Sequence, residues 1–198
     1  MSLGEQDIHL FREGTHSRLY QKLGCHANEQ GARFAVWAPN AQAVDVIGDF
    51  NGWQRGVHAA QPRWDGSGIW EAKVPGVQAG QRYKYAIRIR DGAWLEKADP
   101  FARSAECPPA TASVVWRGQD HRWGDADWLR ARAATDALAA PMSVYEVHLG
   151  SWRRGEGDVM LDYRSTALLL ADYVRRMGFT HVELMPITEH PFYGSWGY

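Results

Sequence analysis

Five acidic and histidine side chains near the end of the chain could perform acid–base chemistry or bind a metal: Glu146, His148, Glu183, Glu189 and His190. Glu146 and His148 are two residues apart in an apolar segment, and side chains with that spacing share one face of a β-strand. The spacing within the group does not match a metal-binding motif. Buried polar side chains usually hydrogen-bond one another, so we interpret the group as structural residues around the open end of a fold.

The ten tryptophans are the second chemical feature, and eight of them lie between Trp37 and Trp128. An indole combines a wide apolar face with a single N–H donor. Sugar rings have apolar C–H faces and polar rims, so a tryptophan-rich β-module suits carbohydrate. The alternative is that these side chains are buried in a core, as large aromatic residues usually are.

The segments that must position the tryptophans are short and β-like. Alternating or apolar runs predict strands at 31–37, 44–50, 69–74, 82–89, 93–95 and 113–116. Asn51-Gly52 and Asp91-Gly92 are strong turn signals because these residues tolerate positive φ. Strands at this spacing predict an all-β, immunoglobulin-like sandwich over residues 20–117, preceded by a lead-in at 1–19.

The pattern changes after an alanine-rich linker at 118–141. We predict a strand at 143–149, a helix at 163–177 capped by Gly178, and a strand at 181–187. One right-handed β-α-β unit is the repeat of a parallel α/β fold. A closed (β/α)8 barrel needs about 250 residues, so we expect 142–198 to be an incomplete barrel (β1-α1-β2 only). Its uncovered strand edges and apolar helix face would favour either poor order after about residue 141 or self-association.

Composition excludes several classes of partner. The formal net charge of −1 gives no electrostatic reason to bind nucleic acid or an anionic membrane. No segment has the length and apolarity of a signal peptide core or a membrane span. Cys25 and Cys107 are too few for a disulfide framework, so we expect two free thiols in a cytoplasmic protein without cofactors. One disulfide between them is the alternative.

Several long stretches resemble the N-terminal part of bacterial glycogen (1,4-α-glucan) branching enzymes. They are residues 20–26, 34–41, 48–53, 83–85, 98–101, 143–154 and 177–198. The stretches at 34–41 and 48–53 would fit several α-amylase-superfamily enzymes, whereas 143–154 and 177–198 are more specific. The resemblance implies a family 48 carbohydrate-binding module followed by the first two strands of a family 13 barrel. It also implies a transferase that cleaves an α-1,4-glucan chain and moves it to a 6-hydroxyl.

The resemblance assigns four substrate-binding positions. Tyr198 aligns with the aromatic residue that stacks on the sugar beside the scissile bond. Trp53, Lys84 and Trp94 match the positions with which related modules bind glucan. The family's catalytic Asp and Glu residues lie on later barrel strands, so we carry over none and expect these 198 residues alone to be inactive.

A second reading is a non-catalytic α-glucan-binding protein. The segment at 142–198 discriminates between the two, because a stand-alone binding module has no use for a β-α-β unit that ends in an aromatic loop. A related debranching or trehalose-forming enzyme is disfavoured by the residues at 143–154.

Overall fold

A computed structural model describes residues 3–118, 122–188, 190 and 195–198. The chain forms two compact units, Met1–Asp120 and His121–Tyr198. The first unit is mostly β-structure and the second mixes helices with one small parallel sheet. Each unit is described by itself.

The first unit begins with a helix and continues as two antiparallel sheets. Helix α1 spans Glu5–Glu13. One sheet has the strand order β1-β2-β5-β4, and the other has the order β3-β6-β7, with β8 paired to β6. The strands are β1 (Gly24–Asn28), β2 (Gly31–Trp37), β3 (Ala43–Gly48), β4 (Gln61–Pro62), β5 (Ile69–Pro75), β6 (Arg82–Arg88), β7 (Trp94–Lys97) and β8 (Ser113–Val114). The mostly-β N-terminal domain predicted from the sequence is confirmed.

The main core lies between the two sheets. Strand alternation sends every second side chain inward, and the rings of Phe34 on β2 and Tyr83 on β6 meet with centroids 5.1 Å apart. Val46 on β3 and Val74 on β5 are also buried in this cluster. Each such side chain stabilises the fold by about 1.5–3 kcal/mol through burial, so this core fixes the sheet that carries Lys84 and Trp94.

A buried carboxylate joins β6 to the segment before β8. Asp99 Oδ2 accepts hydrogen bonds from the hydroxyls of Tyr83 at 2.7 Å and Tyr85 at 3.3 Å. The Asp99 backbone N–H donates to Ser113 Oγ at 2.8 Å. Burial raises the pKa of Asp99, although the tyrosine hydrogen bonds act in the opposite direction. The network therefore supplies partners for polar groups that would otherwise be buried at a cost.

Helix α1 packs onto the first unit through a second apolar cluster. Ile8 of α1 is buried together with Leu3, Leu23 and Ile69.

Asp7 fastens α1 at its first turn. Its carboxylate accepts hydrogen bonds from Gly4 N at 2.7 Å and interacts with Lys22 Nζ at 2.8 Å and His16 Nε2 at 3.0 Å. Burial alone would raise the pKa of Asp7, but these partners lower it to about 2. The described part of the predicted lead-in is thus packed against the β-sheets.

Among its described residues, the second unit holds a parallel strand pair and three α-helices. They are α2 (Ala126–Ala134), β9 (Val144–Val147), α3 (Leu149–Trp152), α4 (Tyr163–Met177) and β10 (His181–Leu184). Strands β9 and β10 pair in parallel, with Val144 beside His181 and Val147 beside Leu184. Asp162 caps α4 by accepting from Ser165 N at 2.7 Å, and the helix ends at Gly178 with φ 78°. The predicted helix at 163–177 is confirmed.

Several predicted strand limits are wrong by a few residues. Strand β3 stops at Gly48 because Asp49–Asn51 form a 3₁₀ turn. Strand β9 stops at Val147, since the carbonyl of His148 begins α3 by accepting from Trp152 N at 3.0 Å. Strand β10 stops at Leu184, and Pro186 beyond it has no N–H for a ladder. His148 therefore caps a helix and does not share a strand with Glu146.

Cys25 and Cys107 are both free, which confirms the predicted thiols. Burial raises the pKa of the Cys25 thiol to about 12. Among the described residues, we find no helix that is both long and apolar enough to cross a membrane.

Candidate functional site

Lys84 projects from the outer face of the β3-β6-β7 sheet. Its neighbours Tyr83 and Tyr85 point into the core, so alternation places Lys84 on the opposite side. The ammonium Nζ donates to Thr111 Oγ1 at 2.8 Å. This contact holds a long, flexible cation in one orientation on the sheet surface.

Trp53 is presented by a sharp turn directly after β3. Gly48 begins the turn, and a Cβ at this position would lie 2.3 Å from the Arg82 carbonyl oxygen, so no other residue fits there. Asn51 closes the turn by accepting from Gly48 N at 2.9 Å and donating to Val46 O at 2.9 Å. Trp53 itself has φ 62°, a left-handed conformation that costs a non-glycine residue about 1 kcal/mol or more. Such strain at an aromatic surface residue marks a candidate functional position.

Asp49 fixes the indole of Trp53 against the same sheet. Its carboxylate accepts from Trp53 Nε1 at 3.2 Å and from the backbone N of Arg82 at 2.8 Å. The Arg82 guanidinium donates to both carboxylate oxygens, at 3.1 Å and 3.0 Å, and this pairing lowers the pKa of Asp49. The turn is therefore fastened to the strand that carries Lys84.

Trp94 lies on the same face at the other end of β6. It pairs with Arg88, which is four residues beyond Lys84 and so points to the same side. At a rise of about 3.4 Å per residue, Lys84 and Arg88 are about 14 Å apart along the strand. The guanidinium of Arg55, two residues after Trp53, lies over the Trp94 ring with Cζ 5.3 Å from its centroid. We call Trp53, Lys84 and Trp94 the outer platform.

The outer platform combines the groups that a polyhydroxylated ligand requires. Two partly buried indoles offer apolar faces, and Lys84 offers N–H donors for hydroxyl oxygens. Asp45 lies on the same sheet face, and its buried Oδ1 has no hydrogen-bond partner within the described residues. Across the same described part of the chain, we find no cluster of three or more His, Cys, Asp or Glu side chains suited to a metal.

Tyr198 belongs to the second unit and is 82% exposed. Its backbone N–H donates to Ser195 O at 3.3 Å. The preceding Trp196 has φ 58° and lies against the ring of His148 with centroids 5.4 Å apart. This contact joins the segment that carries Tyr198 to the carboxyl end of β9, the end at which parallel α/β folds bind ligands.

The acidic and histidine group around β9 and β10 forms no compact centre among the described residues. Glu146 and Glu183 are adjacent in the parallel register, and both are exposed. His148 Nδ1 is paired with Ser151 Oγ at 2.9 Å, and His190 Nδ1 with Thr188 O at 3.1 Å. Glu189 lies outside the described residues.

Comparison with known proteins identifies the class of the first unit. Residues 22–102 match the family described as carbohydrate-binding module 48 (isoamylase N-terminal domain). This range contains β1 to β7 and all three platform residues. The first unit is therefore a family 48 carbohydrate-binding module.

The chain as a whole matches a narrower group. The protein named 1,4-alpha-glucan branching enzyme GlgB from Aromatoleum aromaticum is 61% identical over 196 residues, covering 99% of this chain and 31% of the relative. The protein of the same name from Albidiferax ferrireducens is 59% identical, covering 98% of this chain and 31% of the relative. The chain therefore corresponds to the N-terminal region of proteins named 1,4-alpha-glucan branching enzyme GlgB. It spans about a third of the length of these curated relatives.

A solved structure supports the fold alone. The putative alpha amylase from Salmonella typhimurium superposes with a TM-score of 0.63 at 24% identity, covering 89% of this chain and 26% of that chain. The fold is thus shared with that protein despite the low identity.

Proposed function

We propose that the outer platform binds α-1,4-glucan. The observation that carries this proposal is the placement of Trp53, Lys84 and Trp94, which come from three separate segments, on one face of the β3-β6-β7 sheet. Two indole faces suit the apolar faces of successive glucose rings, and the Lys84 ammonium suits their hydroxyls. The strained backbone of Trp53 adds support, because strain of this kind persists where function maintains it.

We propose further that the whole protein forms α-1,6 branches in glycogen by cleaving an α-1,4 bond and transferring the freed chain. High identity to proteins named branching enzymes supports this activity. Net retention at the sugar carbon requires two carboxyl groups close together, one forming a glycosyl-enzyme intermediate and one moving a proton. Tyr198 would stack on the sugar beside the scissile bond, where an aromatic face suits developing positive charge.

The second unit is proposed to be the beginning of a (β/α)8 barrel. The parallel pairing of β9 with β10 and the helix α4 between them support this proposal. The proposal keeps the predicted domain boundaries, with the β-sandwich at 20–117, the linker at 118–141 and the barrel segment at 142–198. A protein that only binds glucan would not need such a unit, so the unit favours the enzyme over a non-catalytic binding module.

Self-association and a cytoplasmic location complete the proposal. Leu168 on α4 is 77% exposed, and each residue of β10 is exposed, so two copies would each gain by covering these surfaces. Both free thiols suit a reducing compartment.

Affinity electrophoresis in gels that contain glycogen tests glucan binding. We expect the intact chain to be retarded by glycogen and the double variant Trp53→Ala, Trp94→Ala to lose most of this retardation. The matched control is Trp64→Ala, Trp116→Ala, which removes two exposed indoles outside the platform. Equal retardation of both double variants would refute the platform.

A further inference from the structure

A shallow groove of about 660 Å³ opens where β2 and β6 leave the core of the first unit. It is lined by the indole of Trp37, which we call its aromatic wall, and by Ile87 and Ile89. It is also lined by Asn40 and Arg90, which we call its polar rim. Ile87 and Ile89 alternate with Lys84 and so point to the other side of the sheet. The groove is therefore separate from the outer platform.

The aromatic wall is exposed but held in place. Trp37 is 55% exposed, although its Nε1–H donates to Ser67 O at 3.1 Å. The Phe11 ring meets it nearly edge-on, with centroids 5.9 Å apart and planes at 75°. Gly68 lies so close that a Cβ there would be 2.7 Å from Pro39 and 3.3 Å from Trp37 Nε1. An indole fixed in this way loses little freedom when a ligand stacks on it.

The polar rim is also fixed. Arg90 Nη2 donates to Asn40 Oδ1 at 3.1 Å, and the side chain of Gln42 donates to Arg90 O at 3.3 Å. Within the described residues, Asn40 Nδ2 and Arg90 Nη1 have no recorded protein partner. Asp91 adds a carboxylate to the same rim. The rim thus offers N–H donors and an acceptor beside an apolar wall.

This combination selects a class of ligand. An apolar peptide would make no use of the rim donors, whereas a pyranose ring presents an apolar face to an indole and hydroxyls to the rim. The groove also lies within the range that matches a carbohydrate-binding module. We propose that the groove of Trp37, Asn40, Ile87, Ile89 and Arg90 is a second α-1,4-glucan site, separate from the outer platform. Two sites on opposite sides of one sheet would raise the avidity for a branched polymer.

The ligand class of this inference rests on the proposed function, but its site does not. The test therefore uses the full chain with the platform removed by Trp53→Ala, Trp94→Ala, and maltoheptaose is titrated calorimetrically. We expect this variant to keep a weaker, saturable binding. Adding Asn40→Ala and Arg90→Ala should weaken it a further tenfold, roughly, because two hydrogen bonds are removed.

A matched variant tests the position of the site. Arg88→Ala removes an exposed arginine of β6 that does not line the groove, and it should leave the remaining binding unchanged. All these residues except Trp53 and Trp94 are exposed, and equal thermal melting would show that each variant is folded.

The outcomes distinguish the two proposals. Loss of all binding in the platform variant would overturn the second site and leave the platform standing. Full wild-type affinity in that variant would refute the platform. Residual binding that Asn40→Ala and Arg90→Ala leave unchanged would overturn the proposal that the groove binds glucan. So would a concentration-dependent dimer that these two changes abolish, because a second copy of the chain would then be the occupant.

Discussion

The guanidinium of Arg55 covers one face of the Trp94 ring, with Cζ 5.3 Å from the ring centroid. A sugar that stacks on this face must displace the cation, and an exposed cation–π contact is worth about 0.5–1 kcal/mol. We therefore expect Arg55→Ala to tighten maltoheptaose binding by about two- to fivefold, as measured by calorimetry.

Arg117→Ala is the control for this prediction, since Arg117 is also exposed and pairs only with Glu29 at 3.3 Å among the described residues. It should leave the affinity unchanged. Weaker binding by Arg55→Ala would mean that Arg55 contacts the sugar itself, and the account of Trp94 as a covered stacking face would be wrong.

Replacing Asp7 should loosen helix α1. Asp7 holds Gly4, His16 and Lys22, and its folded pKa of about 2 lies below its ordinary value of 3.8. At pH 7 we expect Asp7→Asn to lower the free energy of unfolding by on the order of 1–2 kcal/mol, measured by urea titration. Glu5→Gln removes the same charge from the same helical turn and should have little effect.

The pH dependence of this effect has a definite sign. A carboxyl whose pKa is lowered by folding contributes stability above its unfolded pKa and loses it as the pH falls through the folded value. The difference between wild type and Asp7→Asn should therefore be full above about pH 5 and should shrink steadily towards pH 2. A difference that stayed constant over this range would show that Asp7 acts through packing and not through its charge.

The buried hydrogen bonds around Asp99 predict which tyrosine contributes more to the stability of the fold. Tyr83→Phe removes the shorter contact, 2.7 Å, and Tyr85→Phe the longer one, 3.3 Å. Loss of one partner of a buried carboxylate costs about 1–3 kcal/mol, so we expect Tyr83→Phe to fall in this range and Tyr85→Phe to cost less. Thermal melting of both variants checks the order, and the reverse order would contradict the geometry of the network.

Elements with a local signal were predictable from the sequence. The helix at 163–177 was predictable because its apolar spacing and the glycine at 178 agree. The turn at Asp91-Gly92 was also predictable, because glycine readily adopts the positive φ that the turn needs, here 88°. Strand β1 (Gly24–Asn28) was not predictable, since its Gly and Asn residues have low strand propensity. It forms by pairing with β2.

The residues of the candidate site could be named from the sequence, whereas the contacts between them could not. The resemblance supplied Trp53, Lys84 and Trp94, and Asn51-Gly52 is the local signal for the turn before Trp53. The predicted strand nevertheless ran two residues too far, to Phe50. The contacts of Arg55 with Trp94 and of Thr111 with Lys84 join residues 39 and 27 positions apart, respectively. No local sequence pattern indicates such pairs, because they depend on the register of the strands in the sheet.

The central claim is that α-1,4-glucan binds the outer platform, and the indole N–H signals of the ten tryptophans test it most directly. In an NMR titration of the ¹⁵N-labelled chain with maltoheptaose, we expect saturable shifts of the Trp53 and Trp94 signals. The Trp128 signal serves as the control, since this exposed residue lies on α2 in the second unit. Saturable shifts at Trp53 and Trp94 with an unchanged Trp128 signal are the predicted result. Stationary Trp53 and Trp94 signals at saturating maltoheptaose would contradict the account.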